Sequence, residues 1–319
     1  MKPGFYILIL FLLSCLTWQC SPSLPPQGIP GPGMYQQKLD MQVMGTKRNY
    51  WLHIPANFNP QKQTPLVIVI HGAFSTARKM EKESGFSEVA DREGFLVAYP
   101  TGAYGLFGLF QHWNAGHCCG KAARDQIDDV GFLDAVIDDI SLRFNVNSRQ
   151  IFMVGFSNGG MLTYRFAAER THRLAAAATL AAALGGRPSS ESSWWKTPEP
   201  SQPLPMIIFH GRDDEAVPYK GGISPEKGGQ REYIPVSESV NFWIENNNCR
   251  KKPIREQLYG GRVTRTSWAD CQGENEVILY SIDNWGHKWP GPQFTGNLDK
   301  NDAFRNFNAA DLIWDFFQN

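Results

Sequence analysis

With 319 residues, 42% hydrophobic and 19% charged, the chain can bury the core of one large α/β domain or two small ones, and no disorder-type bias covers its main body. Its 31 lysines and arginines balance 31 acidic side chains, without the basic stripe that a phosphate backbone requires. Nucleic acid is therefore excluded as an expected partner.

The first residues bear on the compartment. Lys2 precedes an apolar run over 5–13, too short to span a bilayer and of signal-peptide length. Residues 1–20 are expected to be that signal, which makes the protein secreted or extracytoplasmic. Leu12-Leu13-Ser14-Cys15 resembles a bacterial lipobox, so a membrane tether through a lipidated Cys15 is the alternative to plain secretion; Cys20, behind Trp18 and Gln19, fits that pattern poorly. Residues 21–34 are rich in proline and glycine and read as a tether, leaving 35–319 as one domain without internal repeats.

Residues 38–44 and 50–54 read as two strands joined at Gly45-Thr46, ended by Pro55. The run Leu66, Val67, Ile68, Val69, Ile70 has the continuous apolar character of a strand buried on both faces. His71-Gly72-Ala73-Phe74 follows it and, taken alone, is an ordinary strand-end turn with a core histidine. Residues 95–99 form a further buried strand. The loop after it carries Tyr104, Phe107, Phe110 and Trp113, and loops after the strands of an open parallel sheet are where ligands bind. Asp128 and Asp129 read as the start of a helix whose apolar face is Phe132, Leu133, Val136, Ile137 and Ile140.

Ile151, Phe152, Met153 and Val154 make a short buried strand, and Met161, Tyr164 and Ala168 recur at helical spacing. Between them lies Gly155-Phe156-Ser157-Asn158-Gly159, a G-x-S-x-G pattern in the strand-to-helix context where glycines permit a sharp turn that exposes the serine. Ser157 is the candidate nucleophile. The competing reading is a glycine-rich turn with a helix-capping serine, so the partners must decide.

Downstream, 174–184 reads as a helix end plus a strand. Residues 188–205 form a polar excursion with Trp194-Trp195, and 206–209 form a strand leading into His210-Gly211-Arg212-Asp213-Asp214-Glu215. A helix begins at Pro235, a strand spans 276–282, the loop after it contains Gly286-His287, and an amphipathic helix over 303–317 closes the chain. Strands alternating with helices predict an α/β fold with a mostly parallel sheet.

A serine hydroxyl needs a histidine to take its proton and a carboxylate to fix the tautomer of that histidine. The histidines after Ser157 are His172, His210 and His287. His172 is about four helical turns along from the serine and out of reach. His210 ends the strand assigned to the acid, and His287 occupies a glycine-flanked loop, so His287 is the candidate base. The acid candidates are Asp213, Asp214, Glu215, Asp270 and Asp283, and Asp214 is the preferred one in the turn after the 206–209 strand.

His71-Gly72-Ala73, Trp113-Asn114-Ala115-Gly116 with Cys118-Cys119-Gly120, Asp128-Asp129-Val130-Gly131-Phe132, the Ser157 motif, His210 through Tyr219, and Gly286-His287 through Gly291 together resemble the secreted esterases of polyhydroxybutyrate depolymerase type, which include feruloyl and acetylxylan esterases of carbohydrate esterase family 1. The resemblance runs from about Lys38 to the C-terminus. It implies an α/β-hydrolase fold and ester hydrolysis, with Ser157, Asp214 and His287 at the triad positions. In that fold the loop after the 66–70 strand and the residue after the nucleophile supply the oxyanion N–H groups, here Ala73 or Phe74, and Asn158. Asn284-Trp285 departs from the glycines the family often has before the histidine.

Trp113, Trp285 and Trp289 are the expected substrate-binding residues, stacking on a feruloyl ring or sugar or walling a channel for a hydroxyalkanoate chain. The expected substrate is thus a polysaccharide side-chain ester or a hydroxyalkanoate ester. A serine peptidase on this fold is a further alternative; a non-catalytic binding protein would predict a broken triad, whereas every member is present. No cofactor is implied. Cys249 and Cys271 are expected to pair, leaving Cys118 and Cys119 as a vicinal disulfide or free thiols. His112, His117, Cys118 and Cys119 lack the usual C-x-x-C ligand spacing, so no metal is expected.

Overall fold

The computed structural model describes residues 28, 30–43, 45–103, 110–227, 230–250, 252–295 and 298–319. The expected signal with Cys15, most of the expected tether, Tyr104 and Phe107 lie outside them. In chain order the strands are β1 (Gly33–Val43), β2 (Thr46–Ile54), β3 (Thr64–Ile70), β4 (Leu96–Pro100), β5 (Val146–Phe156), β6 (Ala176–Leu180), β7 (Gly185–Arg187), β8 (Trp195–Lys196), β9 (Met206–Gly211), β10 (Gly222–Ile223), β11 (Glu232–Tyr233), β12 (Ile254–Leu258), β13 (Val263–Trp268) and β14 (Val277–Ile282). The helices are α1 (Ala77–Ser84), α2 (Phe86–Glu93), α3 (Gly120–Arg124), α4 (Asp129–Arg143), α5 (Asn158–Glu169), α6 (Val236–Asn246), α7 (Pro292–Thr295) and α8 (Ala309–Gln318).

Ten strands build one sheet in the order β1-β2-β4-β3-β5-β6-β9-β14-β13-β12. Its middle, β4-β3-β5-β6-β9-β14, is parallel. Antiparallel partners extend both edges, β2 and β1 on one side and β13 and β12 on the other. A smaller sheet, β10-β11-β7-β8, is formed by the excursions between the parallel strands. The fold is that of an α/β-hydrolase in a single domain. β1 begins at Gly33, so Gly33 and Met34 belong to the sheet rather than to the tether.

The apolar run of β3 explains itself by alternation: Leu66, Ile68 and Ile70 enter one core and Val67 and Val69 the other. The first core is covered by α4, α5 and α6, the second by α1, α2 and α8. The register sets Ile70 beside Gly155, and Gly211 beside Ile282. The loops after β3, β5, β9 and β14 therefore leave the sheet at the same edge, which is where the candidate residues sit.

One local expectation gains a second role and one needs correction. Asp128 caps α4, accepting from the Gly131 N–H at 2.8 Å, and Asp129 is its first residue, as expected of a helix start. Asp129 is also fully buried, accepts from the Arg48 guanidinium at 2.8 Å and from the Asn114 N–H at 2.6 Å, and so ties β2 to the loop beneath the site. The helix expected over 303–317 is two pieces, a 3₁₀ turn Ala303–Asn306 and α8. Asn308 separates them because its side chain accepts from the Ala310 N–H and starts the second helix.

Cys249 and Cys271 form a disulfide, and Cys118 and Cys119 form a vicinal one. Among the described residues no helix is long and apolar enough to cross a membrane.

Candidate active site

Ser157 stands at the end of β5 and the start of α5 with φ 54°, ψ −123°. A non-glycine residue with that φ is strained, and the strain holds its side chain out at the sheet edge. The flanking glycines are needed for approach rather than for φ. A Cβ on Gly155 would collide with the Gly159 carbonyl and one on Gly159 with the carbonyls of Ile70 and His71, so the elbow closes against β3 with no room for a side chain.

The His287 Nε2 lies 2.8 Å from Ser157 Oγ, and its Nδ1 lies 2.8 Å from Asp214 Oδ2. The Asp214 carboxylate can only accept, so Nδ1 carries the proton and Nε2 is left to accept from the Ser157 hydroxyl. Asp214 is itself held rigidly: its Oδ1 accepts from the Ala216 N–H at 2.9 Å and the Val217 N–H at 2.8 Å. Burial pushes its carboxyl upward, but hydrogen bonds from His210 and His287 outweigh that and hold it well below the usual carboxylate range. His210 donates from Nε2 to the Val217 carbonyl at 2.8 Å, bracing the same turn from below. Asp213 has no such place: the pairing with His287 is made by Asp214.

Ala73 and Asn158 border the serine. The neighbouring Phe74 N–H donates to the Gln111 carbonyl at 2.9 Å, which leaves Ala73 as the candidate donor of that loop. Asn158 is the first residue of α5, where an N–H has no intrahelical acceptor. Its side chain clamps the next loop, Oδ1 accepting from the Trp113 N–H at 2.8 Å and Nδ2 donating to the Trp113 carbonyl at 3.1 Å. His71 is a buried core histidine, 3.1 Å from the Gly102 N–H through Nε2, and burial lowers its pKa to about 4.

The cleft above Ser157 has a volume of about 390 Å³. Trp289 lines it, but two of the three expected substrate-binding tryptophans do not. Trp113 is fully buried, donating from Nε1 to the His71 carbonyl at 2.8 Å and packing on Phe132. Trp285 is turned into the second core against Phe304. Aromatic side chains beside such a loop carry enough apolar surface to serve the core equally well, and here all three do, Trp289 packing on Phe86 in the second core while it borders the cleft. The walls are instead Phe74, Phe156, Met80, the Cys118–Cys119 pair, Arg231 and Tyr233. Phe156 had a visible signal, its place inside the G-x-S-x-G motif, whereas Arg231 lies in an irregular stretch without pattern. Trp194 is exposed and Trp195 stacks on His117, so that pair is a folded-back loop.

Residues 129–228 match the family described as Phospholipase/Carboxylesterase. The chain is 29% identical over 241 residues to feruloyl esterase B of Piromyces equi, an alignment covering 75% of this chain and 42% of that longer protein. It is 24% identical to feruloyl esterase D of Neurospora crassa over 97% of this chain and 95% of the relative. In structure it superposes on an acetyl xylan esterase from Aspergillus awamori with a TM-score of 0.58 at 16% identity, covering 90% of this chain and 99% of the other. By fold the chain is an α/β-hydrolase, and in sequence it is similar to esterases of the feruloyl and acetylxylan kind.

Proposed function

We propose that this carboxylic ester hydrolase works as a serine esterase through an acyl-enzyme. The observation that carries the reading is the unbroken hydrogen-bonded chain from Ser157 through His287 to Asp214 on the floor of an open cleft. Ser157 Oγ attacks the ester carbonyl while His287 Nε2 takes its proton. The N–H groups of Ala73 and Asn158 receive the developing oxyanion, a contribution worth roughly 3–4 kcal/mol per donor in serine hydrolases. His287 then returns the proton to the departing alkoxide, and Asp214 stabilises the imidazolium in between without itself taking a proton. Water, activated by the same imidazole, frees the acyl group.

For the substrate we favour side-chain esters of plant polysaccharide, feruloyl or acetyl, over hydroxyalkanoate oligomers. The relatives act on the first kind by name, and the aromatic side chains of Phe74 and Phe156 on the cleft suit a ring. The reading includes export: residues 1–20 as a signal and the two disulfides as features of an oxidising compartment. Hydrolysis of methyl ferulate, acetylated xylan and a 3-hydroxybutyrate oligomer, with Ser157→Ala as the control for each, tests it. Ferulate or acetate release well above that from the oligomer is expected. Preference for the oligomer would overturn the substrate, and full activity of Ser157→Ala would overturn the mechanism.

A further inference from the structure

Arg231 reaches into the cleft wall beside the nucleophile elbow. Its Nη1 lies 3.4 and 3.3 Å from the sulfurs of Cys118 and Cys119 and 3.5 Å from the Tyr233 hydroxyl. Its Nε is buried without a hydrogen-bond partner. Among the described residues no carboxylate pairs with it. Cys118 in turn is 3.8 Å from the Asn158 side-chain amide, so the guanidinium is two contacts from the residue that follows Ser157. The other charges on the cleft do not neutralise it: Glu83 faces Lys79 at 3.6 Å, and Lys288 adds a second cation.

A guanidinium is always charged and presents a planar fork of donors matched to a carboxylate. Sulfur and a phenol oxygen are weak acceptors, so a partly desolvated guanidinium with only these partners is under-satisfied in the free enzyme. Two neighbouring arginines find oxygen: Arg187, on strand β7, pairs with Glu232, and Arg165 on α5 pairs with Glu169. Arg231 is one residue from Glu232, yet that carboxylate is committed to Arg187, and the guanidinium of Arg231 is turned the other way, into the cleft.

Resting on the serine-esterase reading above, we propose that Arg231 is a specificity determinant and that the preferred esters carry a carboxylate, bound by this guanidinium while Ser157 attacks the scissile carbonyl. The carboxylate has two possible sources, the alcohol half, as in an acidic polysaccharide bearing the ester or the free carboxyl end of a hydroxyacid chain, or the acyl half, as in a half-ester of a dicarboxylic acid.

Two matched pairs of esters separate these sources. For the alcohol half the pair is 4-acetoxybenzoate and methyl 4-acetoxybenzoate; for the acyl half it is mono-(4-nitrophenyl) adipate and 4-nitrophenyl hexanoate. The quantity read is the ratio of kcat/KM for the charged to the neutral member. In the wild-type enzyme at low salt the ratio is expected to exceed one for one pair, which names the half, and to fall as sodium chloride is added. Arg231→Met should lower that ratio about 10- to 100-fold, mainly through KM, the effect of removing a charge-assisted hydrogen bond. Arg231→Lys should restore part of it. A wild-type ratio of one or less for both pairs overturns the proposal without any variant, and so does a ratio that Arg231→Met leaves unchanged. Neither result touches the nucleophile, which is tested separately: hydrolysis of the neutral esters that survives Ser157→Ala would refute the serine-esterase reading itself.

Discussion

Replacing Asp214 by Asn isolates the tautomer argument, because the two side chains have the same shape. Asp214 Oδ1 accepts two backbone N–H groups, from Ala216 and Val217, and Oδ2 accepts from His287. In the variant the amide oxygen will keep the two backbone donors, since turning it would set an NH2 against both of them. The NH2 then faces His287 Nδ1 and can only donate to it. Nδ1 becomes the acceptor, the ring proton moves to Nε2, and Nε2 can no longer take the proton of Ser157. With the position kept and the tautomer reversed, kcat should drop roughly ten-thousandfold, as expected for a triad carboxylate replaced by its amide. The assay is steady-state hydrolysis of an aryl ester, with melting temperature measured alongside. The fold should survive, because losing the charge weakens hydrogen bonds worth about 1.5–3 kcal/mol each without removing their partners. A variant that folds and retains more than a tenth of wild-type kcat would refute the reasoning.

Acid should destabilise the protein in stages. Burial, with the Arg231 charge adding to it for His117, lowers the pKa of His71 to about 4 and of His117 to about 3, from the ordinary 6.5. Between pH 6.5 and those values the unfolded chain binds more protons than the folded one, so stability falls as the pH falls through that window. Asp214 acts in the same sense further down: its carboxyl is held below 3.8, so its contribution is present above that pH and is lost as the pH falls toward its folded value. Melting temperature should decline steadily from pH 7 to pH 4; a flat profile would contradict the burial of the two imidazoles. Arg48→Met should cost about 3–5 kcal/mol in chemical denaturation by leaving the Asp129 charge buried alone. Adding Asp129→Asn should return part of that loss, because it removes the orphaned charge and keeps an acceptor for the Asn114 N–H; a double variant no more stable than the single one would show that the pair matters in some other way.

What could be read in the sequence follows from how local the physics is. The turn at Gly155 to Gly159 was legible because a strand, a sharp turn and a helix lie within some fifteen residues and each has its own pattern. The meeting of Ser157, Asp214 and His287 could be anticipated because each follows a strand of one parallel sheet, and such strands present their ends at a common edge. The roles of the tryptophans could not. Whether Trp113 faces a ligand or the core depends on Asn158 and His71, 45 and 42 residues away in the chain, which take its backbone and its indole N–H. Asp129 could be read as a helix start because that signal is local, but its ion pair could not, since its partner Arg48 is 81 residues distant. Arg231 gave no signal, since it sits in a two-residue-strand excursion whose course is set by β7 and the Cys118–Cys119 turn rather than by its own sequence.

The central claim, that Ser157 forms a covalent acyl-enzyme, is tested most directly by labelling. Incubation with a fluorophosphonate, followed by intact mass measurement and peptide mapping, should give one adduct per chain on the peptide containing Ser157, and activity should be lost in step with it. Ser157→Ala should take up none. Full activity in an unlabelled enzyme, or stoichiometric labelling elsewhere, would contradict the account.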